Sequence, residues 1–132
     1  MEIEKEIYNS YIFQGQMNAA ANSIEIIIEK ILEKNGIAFK KLLSSKISQL
    51  KELISDENLI YELIKFNNTW NITKHGKMAV GLEEYIMFRK DKGTYVFTKQ
   101  RQEELLNQFS SIMGKLIECQ NTKSVLKESF KS

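Results

Sequence analysis

The chain has 132 residues, 42% of them hydrophobic and 27% charged, with 19 Lys and Arg against 17 Asp and Glu. That length suits one domain over 1–132 with a real apolar core and is too short for two ordinary ones. The near-balanced charge does not announce a nucleic-acid binder, and the single cysteine, Cys119, excludes an internal disulfide framework.

The chain opens acidic (Met1-Glu2-Ile3-Glu4-Lys5-Glu6), without the basic-then-apolar plan of a secretory leader. Its apolar runs are short, Ile26–Ile28 for example lying between Glu25 and Glu29, so no membrane span is expected. Together with the lone thiol, this points to a reducing cytoplasm. Proline is absent, which permits long unbroken helices.

Residues 2–34 read as one long helix or two in line. Phe13, Met17, Ala20, Ile24, Ile27 and Ile31 recur at spacings of three and four, the pattern of a buried helical face. Asn35-Gly36 is a stop signal, since both residues tolerate the left-handed conformation that ends helices. A second helix is expected over 38–54, with Phe39, Leu43, Ile47, Leu50 and Ile54 on one face. Ser55-Asp56 offers an N-cap for a third helix, from about Glu57 to His75, with Gly76 as terminator.

The period changes after Gly81. Tyr85–Arg89 and Thr94–Thr98 are aromatic and β-branched, and Lys90-Asp91-Lys92-Gly93 between them is turn-like, so a β-hairpin is expected at about 85–98. Thr98 can cap a last helix with Leu105, Phe109, Ile112 and Leu116 on its core face. The tail from Lys123 to Ser132 reads as a frayed extension or a short added helix. The expected fold is mainly α, an antiparallel four-helix bundle with the hairpin inserted before the last helix.

The third helix carries the one polar cluster of interest. Leu59, Leu63, Phe66 and Trp70 form a core stripe. The adjacent stripe starts with Ile60 and Ile64 and turns polar at Asn67 or Asn68, Asn71 and His75. Asn71 and His75 are four apart and share a face one turn from each other. One reading is a structural hydrogen-bonded pair at the edge of the core. The other starts from His75 being the only histidine. An imidazole can move protons at a 2′-hydroxyl, Asn71 can hold the ring or a substrate oxygen, and Lys74 or Lys77 can offset the charge of a scissile phosphate. A modest basic bias between Lys65 and Lys92 agrees with this, although a solvated surface is the stronger explanation of it.

Trp70-Asn71-Ile72-Thr73-Lys74-His75 resembles the Arg-Asn-x-x-x-His motif of HEPN-domain proteins, with tryptophan in place of arginine. The resemblance implies a small helical bundle that often dimerises so that two motifs face one cleft. It also implies metal-independent RNA cleavage in toxin–antitoxin or phage-defence systems, with an antitoxin-like protein as a possible partner. Only Asn71 and His75 carry over as catalytic residues, since Trp70 supplies neither the charge nor the donor fork of arginine. Arg89 and Arg101, the only arginines, are candidates to reach the site from elsewhere.

Other chemistries are unsupported. There is no Gly-rich phosphate loop, no clustered metal ligands, and so no cofactor to expect. Cys119 reads as a small buried apolar residue. Tyr85, Phe88, Tyr95 and Phe97 of the hairpin are candidates to stack on unpaired bases, or else they close the open edge of the bundle. The alternative function is a non-catalytic helical module that binds another protein.

Overall fold

The computed structural model describes residues 2–80, 85–121 and 126–127. Among these residues four helices carry the fold: α1 (Glu2–Lys34), α2 (Leu43–Leu53), α3 (Glu57–His75) and α4 (Lys99–Asn121). Between α3 and α4 lies a three-stranded antiparallel sheet in the order β1-β2-β3, formed by β1 (Lys77–Val80), β2 (Tyr85–Lys90) and β3 (Gly93–Thr98). No helix among the described residues is long and apolar enough to cross a membrane.

α1, 33 residues and therefore about 50 Å long, packs against α2, α3, α4 and β1. Its buried stripe is Phe13, Met17, Ala20, Ala21, Ile24, Ile28, Ile31 and Leu32. Ile27 sits half-buried at the stripe's margin. The helix ends as its sequence dictates: Gly36 adopts φ 73°, Ile37 N–H donates to the Leu32 carbonyl at 2.9 Å and Gly36 N–H to Glu33 at 3.0 Å. This closes the helix on its own free carbonyls.

The second helix starts later than its apolar period suggests. Residues 37–42 are not helical because the Gln49 carboxamide competes for their backbone. It donates to the Ala38 carbonyl at 2.9 Å and accepts from Lys40 N–H at 2.9 Å. Phe39 therefore lies outside α2 and outside the core, 39% exposed, with the Lys46 ammonium 5.1 Å from its ring.

α3 begins where expected, with the Asp56 carboxylate accepting from Leu59 N–H at 3.1 Å. Its C-terminus is anchored twice. Gly76 N–H donates to the Ile72 carbonyl at 2.8 Å, and the Gln14 carboxamide of α1 donates to the Thr73 carbonyl at 2.9 Å. These are carbonyls that a helix end leaves without helical donors. Gly76 is needed for close approach: a Cβ there would collide with the Ile72 carbonyl and lie 3.2 Å from Phe88 Cβ.

The hairpin is present, but as two strands of three. β1 pairs with β2 from Lys77↔Arg89 to Val80↔Ile86, and β2 with β3 from Tyr85↔Thr98 to Lys90↔Gly93. Lys-Met-Ala-Val has little strand character of its own, and pairing to β2 makes it a strand. Asp91 turns the hairpin at φ 55°. Ile86, Phe88 and Phe97 are buried, and Phe97 packs against Phe13 and, edge-on, against Phe88. Phe88 and Phe97 are core, so they offer no surface for bases. Tyr95 stays 41% exposed, and the Tyr85 side chain lies outside the description.

Thr98 caps α4, accepting from Arg101 N–H at 3.2 Å. Leu105, Ile112 and Leu116 are buried, and Phe109 packs at their margin against Phe66. Of the tail, Leu126 bridges to Ile54, and Lys127 N–H donates to the Leu53 carbonyl at 2.9 Å. The remainder of 123–132 lies outside the described residues.

Candidate functional site

A cleft of about 600 Å³ opens where α1, the entrance to α2 and the C-terminal half of α3 meet. α3 supplies Asn67, Trp70, Asn71, Lys74 and His75, positions at i, i+3, i+4, i+7 and i+8 that a helix places on one face. α1 faces them with Asn18, Asn22 and Glu25, again one turn apart, and the α2 entrance contributes Lys41 to Ser44.

Asn71 and His75 thus line one cleft, as their spacing implies. Asn71 is half-buried and His75 exposed. No hydrogen bond joins them, and neither ring nor carboxamide has a partner among the described residues. The structural pair is therefore not formed: both side chains stand open toward the cleft.

Trp70 packs against the core, as expected, but at its margin rather than inside it. It is half-buried, its indole N–H donates to Asn18 Oδ1 at 2.8 Å, and its ring carries the Lys74 ammonium 4.5 Å from the centroid. A cation over an indole face is held by the ring's quadrupole, so Trp70 fixes Lys74 beside Asn71 and His75. Beneath this, Thr73 is fully buried and its hydroxyl donates to the Trp70 carbonyl at 2.8 Å. With Gln14 gripping the next free carbonyl, the turn carrying His75 is tied to α1.

Lys77 does not belong to this site. It lies on β1 opposite Arg89 and outside the cleft, because the chain leaves the helix at Gly76 and extends along the sheet. Neither arginine reaches the cleft: Arg89 is on β2, and Arg101 pairs with Glu104 at 3.6 Å in the first turn of α4. The cation not anticipated from sequence is Lys41, exposed at the α2 entrance and lining the cleft. Only the break of the helix before Leu43 puts it there, and the apolar period concealed that break.

Among the described residues Glu25 is the sole acid on the cleft wall, and it is already engaged. Lys46 Nζ lies 3.0 Å from Glu25 and 2.5 Å from Glu29. Burial works against the Lys46 charge, but hydrogen bonds and proximity to Glu29 and Glu25 outweigh it and hold the ammonium above its ordinary pKa. With Glu25 neutralised, Lys41 and Lys74 leave the cleft net positive.

Cys119 is buried in α4. Burial, with Asp56 and Glu118 nearby, pushes its thiol pKa up, the opposite of what a nucleophile requires. Among the described residues, no group of three His, Cys, Asp or Glu side chains could hold a metal ion. Comparison of the chain with protein-family models, curated proteins and solved structures found no significant match in any of the three.

Proposed function

We propose that this protein is an RNA-directed domain of HEPN type whose cleft cleaves single-stranded RNA without a metal. The observation that carries this reading is the joint presence of Asn71 and His75, unpartnered among the described residues, on an open cleft made basic by Lys41 and Lys74. The four helices are read as the antiparallel bundle of that family, and a symmetric dimer as its working form.

The chemistry needs little from the protein, because RNA carries its own nucleophile. His75 removes the proton of a 2′-hydroxyl, whose oxygen attacks the adjacent phosphorus. The bond from phosphorus to the 5′-oxygen breaks, and that oxygen leaves with a proton from water or from the imidazole of a facing copy. Asn71 orients the phosphate or the ring. Lys74, held on Trp70, and Lys41 offset the charge gathering on the phosphoryl oxygens. They do so as point charges, where an arginine would offer a fork.

The test is cleavage of single-stranded RNA and tRNA by the native protein and by His75→Ala and Asn71→Ala. General acid–base catalysis contributes about 10²–10⁴-fold, so His75→Ala is expected to lose at least a hundredfold. Equal cleavage by His75→Ala removes the imidazole from the mechanism, and no cleavage by the native protein across these substrates removes the nuclease reading.

A second reading, a non-catalytic module that binds another protein, is favoured by Tyr8, Tyr11 and Ile12, which are 67%, 61% and 42% exposed on α1. Capture of a stoichiometric protein partner, lost in a Tyr8→Ser, Tyr11→Ser variant, supports it. Co-purification of RNA supports the first.

A further inference from the structure

α2 starts without a cap. Its N-cap residue is Leu42, 64% exposed, which makes no side-chain capping hydrogen bond, and the first turn holds no acid. Ser, Thr, Asp or Asn is the usual choice there, because a side-chain oxygen satisfies the free amides. The first amide of α2 bonded within the helix is that of Lys46, which donates to the Leu42 carbonyl at 3.0 Å. The amides of Leu43, Ser44 and Ser45 therefore lack a helical acceptor. No side chain among the described residues takes that place. Leu42, Leu43 and Ser44 line the cleft, so these donors and the positive end of the helix dipole lie at its wall.

A separate observation falls at the same spot. Asn67 is only 7% exposed, and its carboxamide makes no hydrogen bond among the described residues. It lines the cleft, and with Ser44 it also lines the smaller groove that continues along α2. Among the described residues the solvent-sealed side-chain oxygen without a partner is Glu62 Oε2, not the Asn67 amide. The Asn67 carboxamide, on a residue otherwise buried and unpartnered within the chain, therefore opens onto the cleft beside the uncapped helix start, where a ligand can reach it. Among the described residues Lys41 adds a positive charge with no ion pair, and the wall's one acid, Glu25, is held by Lys46.

We propose that the uncapped first turn of α2, with Lys41 and the Asn67 carboxamide, is a phosphate subsite that takes one phosphodiester of a bound single-stranded RNA, apart from the group attacked at His75. The identity of the ligand rests on the RNA reading of the cleft. The preference for a phosphate anion rests on α2, Lys41 and Asn67 alone. The amides and the Asn67 NH₂ donate to phosphate oxygens, and Lys41 balances the charge.

The test is a heteronuclear NMR titration with two probes, inorganic phosphate on the native protein and a short oligouridylate on His75→Ala. Both probes are expected to shift the Leu43 and Ser44 amides and the Asn67 side-chain NH₂. Ser44→Asp is the decisive variant. Its carboxylate suits a helix N-terminus, so thermal stability holds or rises, while repulsion lowers affinity for the oligouridylate roughly tenfold. Losing one phosphate contact also flattens the salt dependence of binding by about 0.7 in log–log slope. If phosphate shifts these groups and RNA binds nowhere, the subsite stands and the RNA reading fails. If RNA binds elsewhere in the cleft while these groups stay unmoved, or Ser44→Asp binds as tightly as the native residue, the subsite is overturned and the RNA reading survives. Silence of these groups toward both probes also overturns the subsite.

Discussion

Two polar regions share α1, and their contrast separates structural from functional polarity. Around Lys46 every charge has a partner: the ammonium is 4% exposed, bonded to Glu25 and Glu29 and set over Phe39. In the neighbouring cleft, Asn71, His75, Asn67 and Lys41 have none among the described residues. The two regions meet at Glu25, which lines the cleft yet is committed to Lys46. Polar groups that support a fold find partners within it, whereas groups kept for a ligand wait for one. The first kind should matter to stability, the second to binding and catalysis.

The largest stability effect is expected at Lys46. Lys46→Met strands two carboxylates; because both are part-exposed and can rehydrate, the loss is about 2 kcal/mol, below the 3–5 of a fully buried pair. Chemical denaturation measures it. The pH dependence has a definite sign. The folded protein binds the Lys46 proton more tightly than the unfolded chain does, so the contribution is intact below the ordinary lysine pKa and is lost as pH rises through the higher folded value. The native protein should thus lose stability above about pH 10, and Lys46→Met should lack that component.

Gln14→Ala comes next. It removes the donor to the Thr73 carbonyl and should cost about 1 kcal/mol. It should also speed hydrogen exchange in the last turn of α3 and so lower activity through the placement of His75. Unchanged exchange there would show that Gln14 does not tie down this turn.

Asn67→Leu should move stability the other way. The amide is unpaired within the chain but still touches solvent, so an apolar side chain of similar size should gain no more than about 0.5 kcal/mol while weakening RNA binding. A substantial loss of stability would place Asn67 with the structural group and break the contrast. The smallest effect on folding is expected from Asn71→Ala and His75→Ala, within about 0.5 kcal/mol of the native protein, since neither side chain supports another.

Much of this was legible in the sequence. The bounds of α1 and α3 and the start of α4 follow from caps and apolar period, with Asp56 and Thr98 acting as expected. The sharing of a face by Asn71 and His75 follows from helix geometry. What the sequence concealed depends on contacts distant along the chain. β1 exists through pairing with β2. The delayed start of α2 comes from Gln49 reaching back to Ala38 and Lys40, and that delay brings Lys41 to the cleft. The spacing of Trp70 with Leu63 and Phe66 correctly placed its ring against the core, but gave no sign that its indole N–H reaches out to Asn18 at the cleft's edge. Lys77 looked available beside His75 because Gly76 gives no sign that the chain turns away into a strand.

The central claim is that RNA meets this protein at the α1–α2–α3 cleft rather than at the sheet. Photo-crosslinking of 4-thiouridine-substituted single-stranded RNA to the native protein, with adducts mapped by mass spectrometry, tests it most directly. Adducts are predicted on Trp70 and Lys74, with Lys41 next. Adducts confined to Tyr95 and the rest of the sheet, or none at all, would contradict it.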